Sequence, residues 1–406
     1  MTTTRDGFRG FRCSDCGATF DPDTHGRCPD CDGLLTARYD DDPERVRAGL
    51  ADPADAPLPF ACADRLSASE GGTPLLRTDR LAEESGVGDV FLKDEGRNPT
   101  GTVYDRGMAT AVTAAATTDV EPLALAAAGN AGQSAAAYAG RADLRSYAFV
   151  PSRTAFSNKA MVNVHGGEMR VVGGRFDDAA AAVDDQLAAD YYSLSAFETP
   201  YRVAGTKTLG YELCADYAVA TDALPARTPE AVADAAPLPT PDAVVVPVGT
   251  GEVLVAVERA LAELSEAALL ASVPAVYAVQ PAGCAPIASA AAAGEDTTEP
   301  WDRPDTIVGE LEIPDPVGGD HALAALSRLE GGAVTVSDDD ALESAVTAAQ
   351  TEVVEVGGAG GVALAGAWAL ADDGTLGDTD DVVVVNPDAG VKTPDVLRSH
   401  LMGQGI

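Results

Sequence analysis

Lysine is nearly missing from this chain. Four occur in 406 residues, Lys93, Lys159, Lys207 and Lys392, and all basic residues together number 27 against 64 Asp and Glu. The formal charge of -37 is spread along the whole chain rather than held in one tail. Such a chain lacks the basic stripe that would neutralise phosphates, which excludes nucleic-acid binding. Long apolar runs are missing too: none approaches the ~20 residues of a membrane span, and Met1 to Gly7 has no apolar signal core. The expectation is a cytoplasmic protein that does not enter a membrane. Histidine is as scarce, with four, and His165, His321 and His400 fall in separate segments without the spacing of a nucleophile and its base. Acidity alone could indicate disorder, but 46% of residues are hydrophobic and periodically placed, so the chain buries a core. Acidity combined with a core implies adaptation to concentrated salt, where counterions screen repulsion and carboxylates keep the surface hydrated.

Seven cysteines are present, and four of them are grouped. Cys13-Ser-Asp-Cys16 and Cys28-Pro-Asp-Cys31 form a pair of Cys-x-x-Cys knuckles, with Gly17 and Gly33 in turn positions after them. Four thiolates at that spacing suit a closed tetrahedral zinc site of structural type, with disulfides or a redox pair as the competing readings. His25 lies between the knuckles, but four cysteines fill the shell and leave it a solvated loop residue. Cys62, Cys214 and Cys284 stand singly in apolar surroundings, as core thiols do.

Residues 39 to 59, acidic and then rich in proline and alanine, read as a solvated linker. Beyond them, short apolar strands alternate with amphipathic helices, the pattern of a parallel sheet wound by helices. Strands are predicted at Val90 to Leu92, Leu123 to Ala126, Arg145 to Val150, Met169 to Val172, Asp242 to Val248, Ala275 to Gln280, Ala333 to Val336 and Val382 to Val385. Helices are predicted at Arg106 to Ala116, Gly132 to Ala142, Asn158 to His165, Phe176 to Ala189, Thr206 to Ala220 and Gly251 to Leu264. Residues 224 to 242, with their prolines, read as an exposed connection. The acidic stretches at 294 to 302 and 371 to 381 read as surface loops.

The most informative stretch is Leu92 to Met108, Leu-Lys-Asp-Glu-Gly-Arg-Asn-Pro-Thr-Gly-Thr-Val-Tyr-Asp-Arg-Gly-Met. It resembles the cofactor-anchoring segment of threonine synthases, fold-type II enzymes that use pyridoxal phosphate, in which Lys-Asp-Glu-Gly-x-Asn-Pro-Thr-Gly-Ser-Phe leads into Lys-Asp-Arg-Gly. Gly129-Asn130, Phe176-Asp-Asp-Ala179, Gly205-Thr-Lys-Thr208, Asp242 to Gly249 and Gly390-Val-Lys-Thr-Pro394 extend the resemblance. So does the cysteine module, since related enzymes often begin with a zinc ribbon. The resemblance implies an α/β fold of fold-type II, two doubly wound α/β domains preceded by a small ribbon. The implied division is 1–38 ribbon, 39–59 linker, 60–104 with 201–406 as the larger domain, and 105–200 as a smaller mobile one.

It also implies where the cofactor site lies and how this chain departs from it. The imine-forming lysine of the family corresponds to Tyr104, and a phenol can neither form that imine nor shuttle its proton. The carboxylate-binding loop corresponds to Ala127-Ala-Gly-Asn130-Ala131, which keeps the asparagine for the cofactor's ring hydroxyl and loses three hydroxyls. Taken by itself, Asn130 reads equally as a helix cap beside Gly129. The phosphate cradle corresponds to Gly249, Thr250 and Gly251, with Glu252 placing a carboxylate at the anion's approach, satisfying the helix start, or pointing to solvent. Pro387 falls where a hydroxyl meets the pyridine nitrogen, with Asn386 and Asp388 on either side. The four lysines read as surface charge or loop contacts, none newly recruited. The expectation is structural zinc, no pyridoxal phosphate chemistry, and a scaffold that forms homo-oligomers or hetero-oligomers with a related protein. The alternative is a working lyase that converts O-phosphohomoserine to threonine.

Overall fold

The computed structural model describes residues 4–187 and 191–403. Phe8–Cys13 (β1), Thr19–Phe20 (β2) and Leu35–Tyr39 (β3) form an antiparallel sheet in the order β2-β1-β3. Its inner face carries Phe8, Phe11 and Cys13 while Arg9 and Arg12 face out. Phe11 meets Tyr201 edge-on at 5.2 Å between centroids, so the ribbon is fastened to the body by an aromatic contact.

The stretch read as a linker folds. Asp42 accepts a hydrogen bond from the Arg45 amide at 3.3 Å and Pro43 occupies the first turn of α1, Pro43–Ala51. These are helix-start features that an acidic, proline-containing string conceals. Leu50, Ala56 and Leu58 are fully buried behind it.

In chain order there follow β4 (Leu75–Arg77), α2 (Asp79–Ser85), β5 (Asp89–Asp94) and α3 (Tyr104–Ala115). Next come β6 (Leu123–Ala126), α4 (Asn130–Arg141), β7 (Ser146–Pro151), α5 (Phe156–Val164), β8 (Glu168–Val172), α6 (Phe176–Gln186) and β9 (Tyr192–Ser193). The helix expected from Phe176 to Ala189 thus stops at Gln186, and positions 188 and 189 lie outside the described residues. The chain continues with α7 (Pro200–Thr206), α8 (Thr208–Ala220), α9 (Pro229–Ala235), β10 (Ala243–Pro247), α10 (Glu252–Glu266), β11 (Ala275–Pro281), α11 (Pro286–Ala293) and α12 (Gly319–Arg328). It closes with β12 (Gly332–Val336), α13 (Asp338–Thr351), α14 (Gly358–Asp372), β13 (Asp381–Asn386) and α15 (Pro394–Leu401). The supposed exposed connection at 224 to 242 also folds: it contains α9 and buries Leu224, Val232 and Leu238.

The larger sheet runs β12-β11-β10-β13-β5-β4, parallel except for β4 at its edge. The smaller runs β8-β7-β6-β9, all parallel. In β10 and β13, Val244 to Val246 and Val382 to Val385 have no exposed surface, because helices cover both faces of a parallel sheet and continuous valine runs suit that setting. The fold is thus of fold-type II, α/β with two doubly wound units behind a small ribbon.

A candidate ligand cleft and a candidate metal centre

In open parallel sheets, ligand sites form beyond the carboxyl ends of the strands. Four such ends converge here. Asp94 ends β5 and Glu95 follows it, Asn130 follows β6, Gly249 to Gly251 follow β10, and Pro387 with Asp388 follow β13. Between them lies a cavity of about 30 Å3 lined by Tyr104, Asn130, Gly249, Thr250, Gly251, Glu252, Glu310 and Pro387 among others. Tyr104, Asn130, Gly249 to Glu252 and Pro387, all singled out from the sequence, therefore border one space, whereas Ala127, Ala128, Asn386 and Asp388 do not line it. That space admits a water or two, since one water needs ~10–15 Å3 and ordinary ligand pockets span ~300–1,000 Å3.

Three arrangements surround it. The first is an ion pair. Arg202 on α7 reaches Glu252 at the start of α10 with Nε–Oε1 3.1 Å and Nη2–Oε2 2.5 Å, and both are about 2% exposed or less. Burial raises the Glu252 pKa and the guanidinium opposes the rise, so the solvent-facing option for Glu252 is not what the fold adopts. Gly251, at φ +91, turns the chain into α10 where a Cβ would meet the Gly318 carbonyl at 2.8 Å. That left-handed residue sets the entry angle that points Glu252 inward.

The second is Tyr104, half-buried at the first position of α3. The Arg202 guanidinium carbon lies 5.4 Å from its ring centroid, a cation–π contact in a dry setting. Burial and then Glu252 raise its pKa, which keeps the phenol neutral.

The third is a polar latch from the segment after β13 to the smaller domain. Asn130 donates its side-chain amide to Asp388 and forms no cap at that helix start, while its Oδ1 is buried without a hydrogen-bond partner. Lys392 Nζ donates to Gln133 Oε1 at 2.8 Å and reaches Asn158 Oδ1 at 3.4 Å. Asn386 turns away to donate to Asp94 Oδ1 at 2.9 Å. Burial pushes Asp388 up to about 6 against the pull of Lys392 and Asn130, and Glu310 up to about 7, with Asp388 adding to the rise. Across the same cleft Arg153 pairs with Glu312 at 2.6 Å, and Arg175 joins that carboxylate.

The lysines correct the reading of surface charge. Lys93 is fully buried and Lys207 and Lys392 nearly so. Lys93 donates to the Thr73 carbonyl at 2.7 Å, Asp216 at 2.8 Å and Glu212 at 2.9 Å. Lys207 donates to Glu263 at 2.6 Å and the Pro57 carbonyl at 2.8 Å. Partly exposed Lys159 donates to the Ser152 carbonyl at 2.9 Å. Buried amines persist only when paired, and these are. No lysine lines the cavity among the described residues. Beneath it Arg106 binds Glu95 (2.6 Å) and Glu212 (2.7 Å) in a desolvated network that ties α3 to α8 and to the turn after β5. Asp105 holds Thr100 Oγ1 at 2.6 Å and Ser134 Oγ at 2.5 Å.

Arg202 is the main participant that sequence reasoning missed. It stands one helical turn before the Gly205-Thr-Lys motif, but nothing linear connects it to Glu252. Glu310, Gln133 and Asn158 were missed for the same reason, having no motif of their own.

At the ribbon, one Sγ each from Cys13, Cys16, Cys28 and Cys31 lie within 4.8 Å of one another. Cys13 and Cys31 sulfurs are 3.5 Å apart, Cys16 and Cys28 sulfurs 3.7 Å. A tetrahedron with Zn–S of ~2.3 Å has edges of ~3.8 Å, so this donor set fits zinc; the sulfurs stand too far apart for bonds. The Asp15 and Cys16 amides donate to Cys13 Sγ at 3.4 and 3.5 Å, stabilising a thiolate. His25 is exposed and outside the set. Cys214 and Cys284 are core thiols as expected; the side chain of Cys62 lies outside the described residues.

Comparison with known proteins places this geometry. Residues 66–388 match the family model described as pyridoxal-phosphate dependent enzyme. The chain is 30% identical over 401 residues to the threonine synthase of Methanosarcina acetivorans, covering 95% of this chain and 93% of that one. Its identity to the threonine synthase of Methanocaldococcus jannaschii is also 30%, over 399 residues with the same coverage. Among solved structures, an L-serine ammonia-lyase from Rhizomucor miehei superposes with a TM-score of 0.67 at 20% identity, over 82% of this chain and 99% of that one. Threonine deaminase isoform 2 from Solanum lycopersicum gives 0.62 at 18%, over 82% and 88%; these two attest the fold. From strand-end cleft to sequence match, the observations agree that the chain belongs to the pyridoxal-phosphate dependent enzyme family and has threonine synthases among its relatives.

Proposed function

We propose that this protein is a threonine synthase-like scaffold that has given up covalent cofactor chemistry and acts by binding or assembly, as a homo-oligomer or with a related chain. The observation that carries the reading is the narrowness of the cleft. Tyr104 stands where the resemblance puts the imine-forming lysine, and Arg202 lies over its ring at 5.4 Å. The space left is about 30 Å3, an order of magnitude below a cofactor-sized pocket. The N-terminus of α10, where the family's phosphate would bind, already carries the carboxylate of Glu252 paired with Arg202. An incoming phosphate would therefore find the helix start faced by an ion pair neutral in sum, with the Arg202 guanidinium already committed to Glu252. These residues do not fit bound pyridoxal phosphate. The ribbon does fit its ion, and we assign to Cys13, Cys16, Cys28 and Cys31 one structural zinc.

Purified protein reduced with borohydride in the presence of pyridoxal phosphate is expected to show no pyridoxyl group at a stoichiometric site on any of the four lysines by mass spectrometry. A modified lysine at full occupancy, with turnover of O-phosphohomoserine, would establish the working lyase instead.

A further inference from the structure

In a chain with 64 acidic and 27 basic residues, four arginines converge on one groove. Arg12 and Arg38 from the ribbon, Arg259 on α10 and Arg328 on α12 line a space of about 670 Å3, joined by His321. None of these residues borders the cleft between the sheets. The groove exists because the ribbon's outer face looks across at the exposed sides of two helices. Arg12 is registered opposite Thr36 between β1 and β3, and side chains two apart on a strand share a face, so Ser14, Thr36 and Arg38 lie beside it. The Ser14 and Thr36 hydroxyls are 3.4 Å apart on that face.

The groups in the groove divide into those already committed and those left over. Arg328 Nε pairs with Glu258 Oε1 at 2.7 Å. Arg259 Nε stands 3.5 Å from Glu258 Oε2, buried and without a hydrogen bond. Two exposed acids share the rim: Asp15 lies 4.0 Å from His321 Nε2, and Asp320 accepts from the Thr298 amide at 2.9 Å. Arg12 and Arg38 are exposed and take no part in the ion pairs of the groove among the described residues. Two uncommitted guanidinium forks, with hydroxyl donors between them, face a concavity of the size that holds small molecules.

We propose that this groove binds a small molecule bearing two oxyanion groups, a phosphate ester or a polycarboxylate. Guanidinium forks match both, and paired forks favour a ligand that can bridge them. Against a net charge of -37, the local sign also selects: the surface at large repels such anions while the groove attracts them.

The test is calorimetric titration of the full-length, zinc-loaded protein with pyrophosphate and, separately, with citrate, at one ionic strength that keeps the chain folded. One-to-one saturable binding of at least one anion is expected, and the tighter of the two identifies the ligand as phosphate or polycarboxylate. Arg12→Ala with Arg38→Ala should weaken that binding at least tenfold while zinc content stays at one per chain. Arg12→Lys with Arg38→Lys, which retains charge and surface character, should weaken it severalfold because an ammonium lacks the fork. No saturable binding of either anion by the parent, or undiminished binding in a folded variant, would overturn the assignment.

Discussion

Tyr104, Arg202 and Glu252 form a unit in which each residue makes the others tolerable. The guanidinium neutralises a buried carboxylate and rests on a neutral ring, so no single change turns the unit into a cofactor site. Tyr104→Lys alone is expected to leave the protein without the yellow band of an imine or turnover of O-phosphohomoserine, since the new amine would face a cleft with no room for the cofactor. Robust activity in that single variant, read by product formation, would show the cleft to be more open than the reading allows. The smallest set expected to recover cofactor binding adds Glu252→Gly, Ala127→Ser and Ala128→Thr. The fold sets a cost on it, because Glu252→Gly strands Arg202, and losing one partner of a buried pair destabilises by ~3–5 kcal/mol. Denaturant unfolding should show that loss, with most of it returned when Arg202→Met is added. Asp388 and Glu310 supply a second residue-level test. Their folded pKa values, about 6 and about 7, lie above the unfolded carboxylate range, so the folded state holds extra protons between pH ~4 and ~7. Stability from this pair is fully present below the unfolded values and declines as pH rises through the folded ones. Glu310→Gln should therefore become more stable relative to the parent by on the order of 1–2 kcal/mol between pH 5 and pH 8. A difference that stays flat across that range would remove the pair from the account.

At the scale of elements, the strands were legible because parallel strands covered on both faces read as unbroken valine runs, as in β10 and β13. The cysteine knuckles were legible because metal ligand spacing survives any sequence context, and the four sulfurs do meet. Helix α14 was not legible. Gly358 to Gly366 contains too much glycine to score as a helix, yet the helix is buried almost throughout. Glycine is required by contact: a Cβ at Gly361 would sit 2.1 Å from the Ala341 carbonyl of α13. Helices α1 and α9 were hidden in a different way, their prolines read as breakers when they occupy first-turn positions. In the cleft, motif residues could be placed from the sequence. The ion pair and latch that surround it could not, since Arg202 and Glu252 are fifty residues apart and acquire meaning only through the fold. The ribbon yields its own prediction. Its sheet has three short strands and few core side chains of its own, so metal should supply much of its stability. Elemental analysis is expected to find one zinc per chain, and chelation should speed amide exchange in β1 and β3 first, leaving β10 and β13 protected. Protein purified without chelator that contains no zinc would contradict this.

For the whole molecule the deciding quantity is charge. Ion pairs divide into two populations: a desolvated set around Arg106, Lys93 and Arg202 that salt scarcely reaches, and an exposed set such as Arg9 with Asp40 or Arg77 with Asp79. Members of the exposed set contribute little and weaken with salt. They cannot offset an excess of 37 negative charges, whose mutual repulsion salt relieves. The screening length falls from ~10 Å at 0.1 M to ~3 Å at 1 M, from a distance spanning several surface carboxylates to one shorter than most gaps between them. Two opposing effects thus follow from adding salt, and the larger one is relief of repulsion. The thermal unfolding midpoint should therefore rise by roughly 5 °C or more between 0.1 M and 2 M potassium chloride, equivalent to about 4 kcal/mol for a chain of this size. Charge-reducing variants on exposed acids, such as Asp372→Asn with Asp373→Asn at the C-terminal end of α14, should shrink that rise without touching the cleft. A midpoint independent of potassium chloride would mean that the carboxylates are spaced widely enough not to oppose folding, and that the acidity serves solubility alone.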